Sequence, residues 1–197
     1  VPVHVWGNAV TLEPLIPICK KRNIKIIEDA SEGLGTFYNK GKYKKKHVGT
    51  IGLLGCLSFN GNKIITTGGG GMILTDNETL ANKARYLTTQ AKDDPKYYIH
   101  NSIGYNYRLT NIQSAIGVAQ LEQLSGFIKN KKLIFQKYSE SILVNRHFKI
   151  KNVPSYSDNN YWISMLYIAS TENGLSRDFL IEKFEKREIY PRAIWKL

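Results

Sequence analysis

The chain has 197 residues, 42% of them hydrophobic and 22% charged, and carries a net charge of +12. That length and apolar content suffice for one or two domains with a real core, and they exclude a disordered or fibrous chain. No apolar run approaches the ~18 residues of a membrane helix, and no basic-then-apolar leader opens the sequence, so a cytoplasmic protein is expected.

In chain order, Val1 to Val5 reads as a strand and Thr11 to Arg22 as a helix interrupted by Pro14 and Pro17. Ile24 to Ile27 is a β-branched strand that ends in Glu28 and Asp29 and breaks into Ala30-Ser31-Glu32-Gly33. Lys40, Lys42, Lys44, Lys45 and Lys46 fall in an exposed loop, and Leu53 to Leu57 is a buried strand with Ser58 at its exit. A short polar hairpin then leads to Lys63, and four glycines, Gly68 to Gly71, let the backbone turn tightly before Met72 to Thr75 re-enters as a strand. Asp76 is placed to cap a helix to about Thr88, and the stretch from Lys92 to Asn101, with Pro95, reads as a loop. Thr110 and Gln113 form a capping-box pattern ahead of a stripe of Ile112, Ala115, Ile116 and Ala119, which reads as ordinary core. A helix from about Gly126 to Leu143 shows Ile128, Phe135 and Ile142 at heptad spacing and could carry the chain between domains. Tyr161 to Ala169 then reads as a strand and Ser176 to Glu188 as a charged surface helix, together a smaller α+β domain.

Two of these positions carry chemistry. Lys63 follows one strand exit and Asp29 ends another, and α/β folds gather ligand groups at strand exits. A carboxylate after a strand is often only the N-cap of the next helix, and a single lysine is usually a solvated surface group. Taken together the pair fits pyridoxal phosphate better, because that cofactor needs a lysine for a Schiff base and a carboxylate that keeps its ring nitrogen protonated. Gly68 to Gly71 is not a dinucleotide fingerprint, since no G-x-G-x-x-G follows a strand and opens a helix.

Five segments extend this reading: Pro2-Val3-His4-Val5-Trp6-Gly7, Ile27-Glu28-Asp29-Ala30, Ser58-Phe59 through Lys63, Gly69-Gly70-Gly71, and Ile103-Gly104-Tyr105-Asn106-Tyr107-Arg108-Leu109. In this order the chain resembles the DegT/StrS family of sugar aminotransferases from its first residue to its last. The resemblance is nearest to members that aminate the 4-keto position of UDP-linked deoxysugars. It implies fold type I, a mixed and mostly parallel sheet flanked by helices, with residues 1–125 in the cofactor-binding large domain. Residues 126–197 would form a linking helix and part of the small domain.

By the same resemblance Lys63 is the catalytic Schiff-base lysine, Asp29 faces the pyridine nitrogen, and Ser58 and Asn60 lie at the cofactor, Ser58 on its phosphate. Asn106 reaches the phosphate from the other subunit of a homodimer with a shared active site. Glu32 stands beside the ring hydroxyl, where it could accept that proton or shift the ionisation of the lysine adduct. His4, Arg108 and Arg192 resemble substrate-lining positions. The partners implied are a nucleotide sugar and an amino-acid donor, glutamate, for surface glycan biosynthesis. Relatives carry a glycine- and serine-rich turn and a ring-stacking aromatic before the Pro2 segment, so the chain is expected to be a central and C-terminal fragment of a longer enzyme. Dehydratase relatives replace the lysine with histidine, and Lys63 argues against that chemistry.

The competing class is a non-catalytic fragment or a basic polyanion-binding module. The excess of basic residues is 21 Lys against 7 Arg, whereas nucleic-acid readers lean on Arg forks, so no nucleic-acid partner is expected. His4, His47, His100 and His147 lack metal-ligand spacing, and no metal is expected. Cys19 and Cys56 are expected to be buried small hydrophobes.

Overall fold

The computed structural model describes residues 1–143, 145–169 and 175–195. The chain divides into two units, Val1–Lys132 with Val153–Ile163, and Leu133–Asn152 with Ser164–Leu197.

In the first unit, Val3 forms a parallel bridge to Asp29, and a short 3-10 turn follows over Val5–Gly7. The expected N-terminal strand is therefore a single bridge. Helix α1 is Leu15–Lys21, starting directly after Pro14, with Pro17 in its first turn. Prolines there remove only amide donors that a helix start leaves unpaired, so both prolines set the start rather than kink an interior. Strand β1 is Ile27–Asp29, β2 is Phe37–Tyr38, β3 is Leu54–Ser58 and β4 is Gly71–Leu74. β1 runs parallel to β3, and β3 antiparallel to β4, in the register Asp29 opposite Cys56 and Ser58 opposite Gly71. The turn into β4 needs glycine: Gly68 and Gly70 have φ of 79° and 101°, and a Cβ on Gly71 would lie 2.5 Å from the Leu57 carbonyl oxygen.

Helix α2 spans Glu78–Thr88, and Asn77 rather than Asp76 caps it, its side chain accepting from the Leu80 amide at 2.9 Å. Helix α3, Asn111–Leu121, has the full reciprocal capping box between Thr110 and Gln113. Its apolar stripe is not core in this chain, since Ile112 is 70% and Ile116 43% exposed. Helix α4 covers Leu124–Ile142, and the loop carrying the five lysines is exposed as expected. The core itself gathers Ala9, Leu12, Ala30, Val48, Leu57 and Ile65 between the loops and the sheet, with Leu124 and Phe127 of α4 packed against it. That packing and the return of 153–163 place both segments in the first unit. Tyr156 donates its hydroxyl to the Ala9 carbonyl at 2.9 Å, and β6, Ser157–Asp158, pairs antiparallel with β2, both tying that segment to the first unit.

The second unit holds β5, Phe148–Ile150, paired antiparallel with β7, Leu166–Ile168. Helix α5, Arg177–Glu185, has Ser176 as N-cap, accepting from the Phe179 amide at 3.1 Å. Only the last part of the strand expected over Tyr161–Ala169 forms, because Tyr161 and Trp162 belong to the first unit.

Candidate active site

Strand alternation divides the acidic end of β1. Glu28 points inward and is fully buried, while Asp29 is half-buried at the strand exit. The Glu28 carboxylate accepts from His4 Nε2 at 2.9 Å and from the Gly49, Ile51 and Gly52 amides at 2.9, 2.7 and 2.5 Å. Burial works against its ionisation, but the His4 bond and the three amides prevail and hold it below the ordinary glutamate value. His4 Nδ1 accepts from the Val10 amide at 3.1 Å, so its proton sits on Nε2, facing Glu28. Both ring nitrogens are used and the side chain is fully buried, which removes His4 from the substrate-lining residues and makes it part of the scaffold beneath the strand exit.

Asp29 is fixed by its backbone on both sides: its amide donates to the Pro2 carbonyl and its carbonyl accepts from the His4 amide, each at 2.9 Å. Its Oδ1 accepts from the Ser31 amide at 3.0 Å and from the Ser31 hydroxyl, while Oδ2 takes no hydrogen bond among the described residues. Three residues on, Glu32 Oε2 accepts from the Trp6 amide at 2.6 Å and Oε1 lies 3.7 Å from Lys63 Nζ. Three residues of chain span at most about 11 Å, so Asp29 and the Glu32–Lys63 pair share one end of the sheet. Trp6 holds a left-handed backbone, φ 58°, at this contact.

Lys63 is reached through the turn that leaves β3. Ser58 ends that strand, and its Oγ accepts from the Asn60 amide at 3.3 Å. The Asn60 carbonyl accepts from the Lys63 amide at 3.0 Å, so Asn60 shapes the turn through its backbone while its side chain is exposed. The Lys63 and Glu32 side chains are only 14% and 12% exposed. Trp162 also lies against the amine, its ring centroid 4.6 Å from Nζ and its Nε1–H donating to the Asn62 carbonyl at 2.6 Å. Trp162 was invisible to sequence reasoning, which made it the second residue of a strand. The pair Asn159-Asn160 before it, poor strand formers, was the available sign of a loop.

The other expected residues lie elsewhere. Asn106 bridges Thr89 on an exposed segment where Tyr105 and Tyr107 stack at 4.9 Å. Arg108 lines a wide cleft of about 880 Å³ together with Cys56, Gly70, Ile73 and Tyr107. Lys63 does not line that cleft; the link to it runs through Cys56, which sits opposite Asp29 in the sheet. Cys56 is exposed, contrary to expectation, with its thiol pushed up by burial and by the Asp29 charge. Cys19 is buried. Arg192 is an exposed residue of the second unit. Among the described residues there is no metal-ligating cluster and no helix long and apolar enough to cross a membrane.

This α/β scaffold, with a mixed sheet and helices, has the fold of the pyridoxal-phosphate-dependent aminotransferases. DesI, solved in the presence of its TDP-sugar product, superposes with a TM-score of 0.86 at 21% identity over 97% of this chain and 47% of its own. Helicobacter pylori PseC, an aminotransferase involved in the biosynthesis of pseudoaminic acid, gives 0.81 at 26% identity over 94% of this chain and 49% of its own. The chain belongs to the DegT/DnrJ/EryC1/StrS aminotransferase family, which it matches over residues 1–196. The GDP-perosamine synthase of Escherichia coli O157:H7 is 40% identical over 192 residues, 95% of this chain and 50% of that protein. The GDP-perosamine synthase of Caulobacter vibrioides is 35% identical over 198 residues, 98% and 51% respectively. The chain thus spans about half the length of the curated relatives it matches.

Proposed function

We propose that the whole protein containing this chain transfers an amino group, from glutamate, to a keto-sugar carried on a nucleoside diphosphate, using pyridoxal phosphate. The observation that carries this reading is the Lys63 amine held 3.7 Å from Glu32, three residues past the Asp29 strand exit. The residues suit the cofactor: a poorly exposed amine, a carboxylate oxygen without a hydrogen bond among the described residues, and the Ser58 hydroxyl at the exit of the neighbouring strand. When bound, the cofactor supplies an electron sink for the carbanion next to the transferred nitrogen. Asp29, through Oδ2, keeps the ring nitrogen protonated. Ser58 donates to the phosphate, and Asn106 does so from a second subunit. Lys63 would hold the cofactor through its side-chain amine and, as the free amine, would move the proton at the donor's α-carbon. Glu32 steadies the Lys63 ammonium between these roles. Arg108 and Arg192 contribute to substrate binding.

The two GDP-perosamine synthase relatives favour a GDP-linked 4-keto-6-deoxy sugar over the UDP-linked one suggested by the sequence resemblance. The product would serve surface glycan synthesis in the cytoplasm. The full-length protein, supplied with glutamate and a panel of GDP- and UDP-linked keto-sugars, should turn over with ping-pong kinetics. Lys63→Ala should abolish both the yellow colour of the loaded protein and turnover; robust turnover by that variant would overturn the reading. Mixing Lys63→Ala with Asn106→Ala protein should restore activity in hybrid dimers carrying one intact site.

A further inference from the structure

Lys63 is gripped twice by one side chain. The Trp162 ring lies against its ammonium, and the Trp162 Nε1–H holds the carbonyl of Asn62, the peptide immediately before it. Trp162 is itself 6% exposed and is anchored from behind: its amide donates to Asn160 Oδ1 at 3.0 Å, and its carbonyl accepts from Lys131 Nζ at 3.3 Å. Asn160, fully buried, donates through Nδ2 to the Glu32 and Leu34 carbonyls at 2.7 and 2.9 Å. Its amide donates to Thr36 Oγ1 at 3.1 Å, and that hydroxyl donates to the Gly7 carbonyl at 2.9 Å. Gly7 has no room for a Cβ, because Asn160 Oδ1 occupies that place. A chain of buried and part-buried hydrogen bonds therefore links Trp162, which touches the amine, to the backbone of Glu32, which also touches it.

We propose that Trp162 is a positioning residue for Lys63, and that Asn160 locks it to Glu32 so that the lysine, its carboxylate and the returning 153–163 segment move as one body. This rests on the reading of Lys63 as the cofactor lysine. An aromatic face suits the task because it attracts the ammonium without forming a hydrogen bond that the amine must break in order to react. A carboxylate alone would leave a flexible four-carbon stem free to swing about it. The indole fixes the root of that stem as well as its tip.

The test uses the full-length protein and two readouts. The first needs no cofactor: the rate at which an amine-selective acylating reagent labels Lys63, measured by mass spectrometry against the exposed Lys40 to Lys46 as internal standards. Trp162→Leu should raise Lys63 labelling about 3- to 30-fold, and Trp162→Phe, which keeps a ring, should return it to within about 3-fold of the parent. Should the leucine variant fail to fold, mono- and trifluorinated tryptophan placed at position 162 keep the shape and the N–H while weakening the ring's attraction, and labelling should climb with each step of fluorination. The second readout is the loaded enzyme, where kcat should fall with a near-constant KM for the amino donor. Unchanged labelling in a folded Trp162→Leu variant, or flat labelling across the fluorinated series, would overturn the proposal. Cofactor binding and turnover by Lys63→Ala would instead overturn the catalytic reading, whatever the labelling shows.

Discussion

Glu28 and Asp29 are adjacent on one three-residue strand, and their surroundings are opposite. Glu28 spends its charge on four inward donors, His4 and the Gly49, Ile51 and Gly52 amides, and is sealed from solvent. Asp29 is held by its backbone, keeps one carboxylate oxygen without a hydrogen bond among the described residues, and leads to Glu32, whose second oxygen lies near Lys63. The difference shows how a strand separates tasks: the inward carboxylate fastens the loop of residues 49–52 to the sheet, and the outward ones stay available for chemistry. A fully satisfied carboxylate has no capacity left for a ligand.

Four measurements can break or sharpen this contrast. The largest effect is expected for Glu28→Ala, which strands the buried His4 N–H and Gly49 amide and the part-buried Ile51 and Gly52 amides together. Urea unfolding should report a loss of about 3–5 kcal/mol, and a loss under about 1 kcal/mol would erase the distinction between the neighbours. Next is acid sensitivity. Because the folded Glu28 value lies below the ordinary 4.5, its stabilisation is complete above that pH and fades as pH falls through the folded value; Glu28→Gln should lack that part of the slope.

A smaller acid effect belongs to His47, which accepts from the Gly35 amide through Nε2 at 2.8 Å and donates from Nδ1 to the Val48 carbonyl. Burial pulls its value below 6.5, the Val48 bond opposing, so the neutral ring is the stable form. Its stabilisation is present above pH 6.5 and lost as pH falls below it; in His47→Gln, stability should change less over that interval. The smallest stability effect is expected for Asp29→Asn, within about 0.5 kcal/mol, since asparagine Oδ1 can still accept both Ser31 bonds. In the full-length protein the same change should cost most of the activity. A large loss of stability there would make Asp29 a second Glu28.

Much of the scaffold was legible because it depends on local pattern. The strand exits at Asp29 and Ser58 follow from apolar runs that end in polar residues, and the Thr110 box follows from short-range hydrogen-bond chemistry. One error is local, the cap of α2, and the others lie where the answer depends on residues distant in sequence. Asn77 displaced Asp76 as cap by one position. Ile112 and Ile116 have helical spacing that signals burial, yet they stay exposed among the described residues. Cys56 sits in an apolar strand, but its face of the sheet is open.

From the sequence by itself came the main helices, the two strands that end at Asp29 and Ser58, the lysine beside those exits, and the family resemblance, all carried by short contiguous motifs. Only the tertiary structure decided which carboxylate faces inward, that His4 is scaffold rather than site, and that Trp162 crosses about a hundred residues of chain to lie against Lys63. The physical reason is that strand alternation fixes opposite faces but not which face is buried. Packing decides that, and it brings together groups whose separation along the chain leaves no local trace.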